Sequence, residues 1–293
     1  MATPTIGASV WRAAATRRTR PGTFVGISSK TLRLVGGCLA AGTVAAAAVP
    51  AIQGAVLWAT ERPKVPGPHG LDGMHPAPGD AEPPLDLVWL GDSLASGVGA
   101  ETADEAFPAR AASLYGASLG RSVELTCLAL PGACTADVVA HQLPVAVARL
   151  LPGSVAVLTV GSNDVASLTN PRRFRAGYAA MLQALVATGA IVVAVGLPDI
   201  GAVTAMRQPL RGLAGWAGRR ASRQVSELAR AHGAHYLAID SRPPRGTPWA
   251  VFLAADRWHP NAATYAMWAD GFVGLMQRVG LVPPTPELIP IYR

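Results

Sequence analysis

From Leu85 onward the chain alternates between short apolar runs and longer stretches with apolar residues at helical spacing. Runs of strand character occupy 85–90, 123–128, 155–160, 191–195 and 236–239, while 108–119, 136–150, 174–187, 213–232 and 262–279 carry the three-to-four-residue period of helices. Five strand-then-helix units predict an α/β domain over 85–282 whose parallel sheet is covered on both faces by helices. Residues 283–293 form a short tail. In an open parallel sheet ligands bind beyond the carboxyl ends of the strands, so the turns closing each apolar run are where chemistry is expected.

The pattern upstream is different. Residues 34–59 contain no charged residue and follow a tail, 1–33, that holds six basic side chains and no acidic one. A helix of that length spans about 39 Å, enough to cross a hydrocarbon core of about 30 Å with some tilt. The excess of positive charge before the segment predicts a single-pass membrane anchor with the amino terminus in the cytoplasm and the remainder outside. A cleaved signal peptide, leaving a secreted protein, is the alternative, because small residues at 44–51 offer a cleavage site. Between 61 and 84 stand seven prolines and four glycines, which reads as an extended tether, with His69 and His75 as solvated loop residues. The domains expected are thus 1–33, 34–59, a linker at 60–84, the 85–282 domain and the tail.

Charge changes the picture only once it is located. The chain carries a net +7, yet beyond residue 33 basic and acidic side chains number 19 and 18, so no basic face for nucleic acid is implied. Gly97-Val98-Gly99 lacks the third glycine of a dinucleotide loop, and no histidine or cysteine spacing suggests a metal. No cofactor is expected.

Candidate chemistry sits in the predicted rim turns. Gly91-Asp92-Ser93-Leu94 follows the first strand and puts a hydroxyl at its end, while Asp256-Arg257-Trp258-His259 supplies a carboxylate and an imidazole three residues apart. A serine hydroxyl is a poor nucleophile until a base takes its proton, and the base needs an acid to fix its tautomer, so Ser93, His259 and Asp256 are the parts of an acyl-transfer triad. Two more rim turns hold Pro131-Gly132-Ala133 and Gly161-Ser162-Asn163-Asp164.

These four blocks, in this order, resemble the GDSL group of the SGNH hydrolases over about 85–279. The resemblance implies a three-layer α/β/α flavodoxin-like sandwich with a five-stranded parallel sheet. It implies a serine esterase or lipase that works through an acyl-serine, with an oxyanion hole made by the backbone N–H groups of Ser93 and Gly132 and the side-chain amide of Asn163. Gly132 is expected to be glycine so that substrate can approach the backbone. Ala95, where α/β-hydrolases have the second glycine of Gly-x-Ser-x-Gly, separates the chain from that larger group.

Some readings stay open at this stage. Ser96 is a rival nucleophile if the turn has another geometry; His141, His232 and His235 lack an acid at fixed spacing and read as surface or helix-end residues. Cys127 and Cys134 bracket Gly132, and outside the cytoplasm they form either a disulfide that stiffens this loop or two free thiols. Met206, Leu210, Trp216, Trp249, Phe252 and Leu253 line an acyl pocket or belong to ordinary core. Arg207, Arg211, Arg219, Arg220 and Arg223 receive an anionic head group or form a solvated face. An ester is the expected substrate, with the membrane contacted through 34–59. The acyl-enzyme would equally serve an acyltransferase passing the group to a sugar or glycerol hydroxyl, and a reading of another class is an inactive module that binds cell-envelope glycans.

Overall fold

A computed structural model of the chain describes residues 49–54, 65, 67–78, 82–239 and 247–282. These belong to one unit that begins at Ala48. The basic tail, most of the 34–59 segment and the 283–293 tail lie outside the described residues. Among the described residues no helix is long and apolar enough to cross a membrane.

Six strands form one sheet: β1 (Gly73–His75), β2 (Leu85–Gly91), β3 (Val123–Cys127), β4 (Val155–Thr159), β5 (Ile191–Val195) and β6 (His235–Leu237). Their spatial order is β1-β3-β2-β4-β5-β6. The five expected strands are present within one or two residues and pair in parallel. The sheet is nevertheless mixed rather than all-parallel, because β1 adds to β3 antiparallel with Gly73 opposite Leu125 and His75 opposite Val123. This strand comes from the proline-rich stretch read as a tether. His75 is also no solvated loop residue: its Nδ1 stands 2.8 Å from the Ser113 hydroxyl, and burial lowers its pKa against the opposing pull of Asp104.

Five helices cover the two faces: α1 (Phe107–Leu119), α2 (Leu143–Arg149), α3 (Pro171–Ala187), α4 (Leu210–Ala231) and α5 (Ala262–Arg278). Because side chains alternate along β2, Leu87 and Trp89 face the layer of α1 and α5, and Val88 and Leu90 face that of α2, α3 and α4. Trp89 is fully buried, with Phe107 at 4.8 Å and Phe272 at 5.7 Å between ring centroids. Burying a side chain of this size contributes about 2 to 3 kcal/mol, and its indole N–H is satisfied by Thr159 Oγ1 at 2.9 Å. The chain leaves β2 toward β3 on one side and later returns to place β4 on the other. The crevice of an open sheet opens at that reversal of direction, here between β2 and β4.

Candidate active site

Ser93 lies in the turn directly after β2, at that crevice. The turn is tightly bonded: Asp92 N–H donates to Thr159 O (3.1 Å), Ser96 N–H to Asp92 O (3.0 Å) and Val98 N–H to Ser93 O (3.0 Å). The Tyr265 hydroxyl on α5 donates to Val98 O at 2.6 Å. Gly99 explains how this turn meets a loop so distant in sequence. A β-carbon there would stand 2.1 Å from Pro260 O, so only glycine lets the two backbones touch.

Next to Pro260 is His259, whose Nε2 stands 3.2 Å from Ser93 Oγ and whose Nδ1 stands 2.6 Å from Asp256 Oδ2. The three-residue spacing of acid and imidazole has a local cause. Asp256 Oδ1 accepts the backbone N–H of Trp258 (2.9 Å) and of His259 (3.0 Å), closing an Asx-type turn through Arg257 at φ 55°. Its second oxygen is thereby aimed at the ring. Burial pushes the Asp256 carboxyl upward, but the hydrogen bonds from His259 and Trp258 outweigh it and hold the group below its ordinary value. An ionised Asp256 accepts from Nδ1–H, which leaves Nε2 to accept the Ser93 hydroxyl proton.

Asn163 sits in the short helix Ser162–Ala166 behind β4 and lines the same cleft as Ser93 and His259. One of its two amide hydrogens goes to Ala133 O at 3.0 Å, which orients the group and leaves the other hydrogen for a ligand. The backbone N–H groups of Ser93 and Gly132 donate to nothing among the described residues. Gly132 is on an exposed turn at φ 86° and outside the cleft lining, and a β-carbon there would meet nothing within 4 Å. Its left-handed backbone, not crowding by a side chain, is what requires glycine.

Cys127 and Cys134 are both free thiols. The loop joining them crosses the sheet rim: the Cys127 thiol is 3.4 Å from Ala95 O in the α1/α5 layer, whereas Ala133 packs in the opposite layer. Burial raises both thiols, that of Cys127 to about 11. The Ser96 hydroxyl donates to Ser93 O at 3.2 Å and outside the cleft, with no imidazole beside it. His141, His232 and His235 line no part of the cleft.

Two residues escaped the sequence reading. Gln142, 2% exposed in a π-helical turn Val138–Gln142, accepts Gly91 N–H (2.8 Å) and donates to Gly91 O (2.9 Å), clamping the residue two positions before Ser93. A π-turn inside a helix is a frequent mark of function, but it has no simple sequence signature. Asp92, the acid of the first block, is 1% exposed. Burial, with the Asp164 carboxylate adding to it, lifts its pKa to about 7 against the Leu94 N–H, which donates to Oδ1 and favours the ionised form.

The cleft is walled by Ile200, Val203, Ile239, Trp249, Phe252 and Met267, and Asp199 is the one carboxylate in its lining among the described residues. Trp249, Phe252 and Leu253 of the expected pocket are in place; Met206 is buried elsewhere, and Leu210 and Trp216 lie outside the cleft. Among the described residues no group of three or more histidine, cysteine or acidic side chains is placed to hold a metal.

The GDSL-like esterase Rv1075c of Mycobacterium tuberculosis is 34% identical over 197 residues, covering 64% of this chain and 61% of the relative, so the chain spans less than two thirds of that protein. Among solved structures, TesA matches with a TM-score of 0.51 at 20% identity, over 66% of this chain and 99% of its own. The psychrotrophic esterase EstA from Pseudoalteromonas sp. matches at 0.51 and 12%, over 66% and 97%. Both share the fold. The profile of the GDSL-like lipase/acylhydrolase family covers residues 89–267, from the middle of β2 through the His259 loop into α5, and the chain therefore belongs to that family.

Proposed function

We propose that the chain is a serine ester hydrolase, with Ser93 as nucleophile, His259 as general base and acid, and Asp256 as the group that fixes and stabilises the imidazole. The observation that carries this reading is the 3.2 Å approach of Ser93 Oγ to His259 Nε2 across 166 residues, with the ring held from behind at 2.6 Å. Ser93 Oγ attacks the ester carbonyl as its proton passes to Nε2, and Asp256 stabilises the imidazolium. The negative charge on the former carbonyl oxygen is taken by the N–H groups of Ser93 and Gly132 and the free hydrogen of Asn163. Each such donor is worth about 3 kcal/mol of barrier. The imidazolium then gives its proton to the leaving alcohol. Water, deprotonated by Nε2, releases the acid and restores the serine.

The aromatic and aliphatic cleft walls favour an uncharged, apolar chain on the ester. We also assign residues 34–59 to a membrane anchor, with the catalytic domain outside the cytoplasm. The reading is tested with p-nitrophenyl esters of increasing chain length on the full protein beside Ser93→Ala. Turnover in the first and none in the second, with equal melting temperatures, is expected; equal turnover in both removes the nucleophile. Adding glycerol distinguishes transfer from hydrolysis by whether a glycerol ester accumulates.

A further inference from the structure

We infer that the corner of the molecule formed by the loop after β4 and the start of α4 seats on an anionic lipid bilayer. Leu168, in that loop, is 88% exposed and held at φ 54°, a backbone state that non-glycine residues seldom adopt. It shares a groove of about 260 Å³ with Phe174, Trp216 and Arg220. Trp216 is 57% exposed and Leu213 52%, and their separation of three residues puts both on one face of α4.

The described helical turn 49–54 adds to the same corner. Gln53 Nε2 donates to Gln208 O at 2.7 Å, and Leu210 N–H donates to Gln53 Oε1 at 3.2 Å, so this turn rests on the beginning of α4. It exposes Val49 (42%) and Ile52 (62%). Five large apolar side chains are therefore open to solvent on the groove, on the first turns of α4 and on the turn that rests on it, where isolated exposure of such residues is the norm. The remaining exposed apolar side chains include Val145 and Val147 on α2 and Leu151 just after it.

Charge decides what covers it. Arg220 lines the groove, Arg172 and Arg173 follow its Pro171, Arg207 and Arg211 stand at the start of α4, and none of the five forms an ion pair among the described residues; of the acids nearby, Asp199 is taken by Arg219 at 3.6 Å, and Asp164 in the groove lining is 3% exposed and accepts the N–H and hydroxyl of Thr135. The Arg220 guanidinium lies 6.0 Å from the Trp216 ring centre. A tryptophan beside arginines at the border of an apolar patch matches the depth profile of a lipid interface, where the ring sits among head groups and cations reach the phosphates. The turn 49–54 also belongs to the apolar 34–59 segment. Ile200, on the cleft wall, packs against Gly218 of α4, which sets the proposed lipid contact beside the cleft. The inference stands on surface properties and does not require that the cleft hydrolyse esters.

The test uses the full chain reconstituted into vesicles of phosphatidylcholine and phosphatidylglycerol at about 3:1, with brominated acyl chains as a short-range quencher of tryptophan fluorescence. Subtracting the signal of Trp216→Phe from that of the parent isolates Trp216 from the other tryptophans. Strong quenching of this difference signal is expected. It should fall several-fold in pure phosphatidylcholine or in Arg207→Gln/Arg211→Gln, since each cation near an anionic surface contributes about fivefold to binding. An unquenched difference signal overturns the proposal. So does an emission shift of Trp216 that depends on protein concentration in detergent and vanishes in Leu213→Glu, which assigns the face to a second copy. Circular dichroism of each variant must match the parent, as these exposed positions predict.

Discussion

Two turns flank the cleft and are built in opposite ways. The Ser93 turn is buried and bonded from several directions: Gln142 clamps Gly91, Thr159 O receives Asp92 N–H, Tyr265 holds Val98, and Gly99 lies against Pro260. The Gly132 turn is exposed and is closed by the bond from Ala133 N–H to Leu130 O, with Leu130 N–H reaching Gly91 O and the Asn163 amide donating to Ala133 O. The positions of the proposed nucleophile and its proposed base are thus over-determined, while a proposed oxyanion donor sits on a surface turn. A group that must be aimed within fractions of an ångström is worth rigid support, whereas a backbone donor on an adaptable turn can close on the substrate as it binds.

This contrast can be broken most forcefully at Asp92. Its proton leaves near pH 4 in the unfolded chain and near about 7 in the folded one. Between those values the folded chain holds the extra proton, so this group's stabilising contribution, complete below about pH 4, drains away as pH rises toward 7 and is flat above. Asp92→Asn removes that slope. Denaturant titrations from pH 4 to 8 should show the variant gaining on the parent by up to about 4 kcal/mol, and parallel curves would mean that Asp92 ionises freely in the fold.

A smaller effect is expected from Gln142→Leu, which leaves the buried Gly91 N–H without an acceptor. A loss of about 1 to 3 kcal/mol should appear in denaturant midpoints. If Gln142 also positions the serine, labelling of Ser93 by a fluorophosphonate should slow more than the stability loss explains, and Gln142→Glu should restore part of the rate.

The smallest effect belongs to the open turn. Gly132→Ala meets no neighbouring atom, so its cost is the strain of a left-handed alanine, about 1 kcal/mol, with thermal stability nearly that of the parent. Equal losses at Gly132 and Gln142 would erase the distinction between the two turns.

The sheet and the Ser93, Asp256 and His259 cluster were legible in sequence for physical reasons. Strands buried on both faces read as largely apolar runs, and an acid that folds its own turn must stand a fixed few residues from the imidazole. What escaped depends on partners far along the chain. Three residues of β1 carry no pattern of their own and become a strand through pairing with β3. Gln142 gains its meaning from Gly91, 51 positions away. Gly99 fits no motif in the sequence and gains its meaning from Pro260, against which it lies. The cysteine pair was legible in spacing but not in direction, because the loop between its members changes layer.

β1 has a practical meaning for anyone shortening this protein. The strand sheathes the outer side of β3, and Asp72 just before it binds Cys127 N–H at the strand's far end. A fragment trimmed to begin at Leu85 would bare a row of unmet amide and carbonyl groups along β3, a ready seam for molecules to stitch themselves together. The proline-rich stretch is in that sense a selvedge, and truncations that respect it should begin upstream of Leu71.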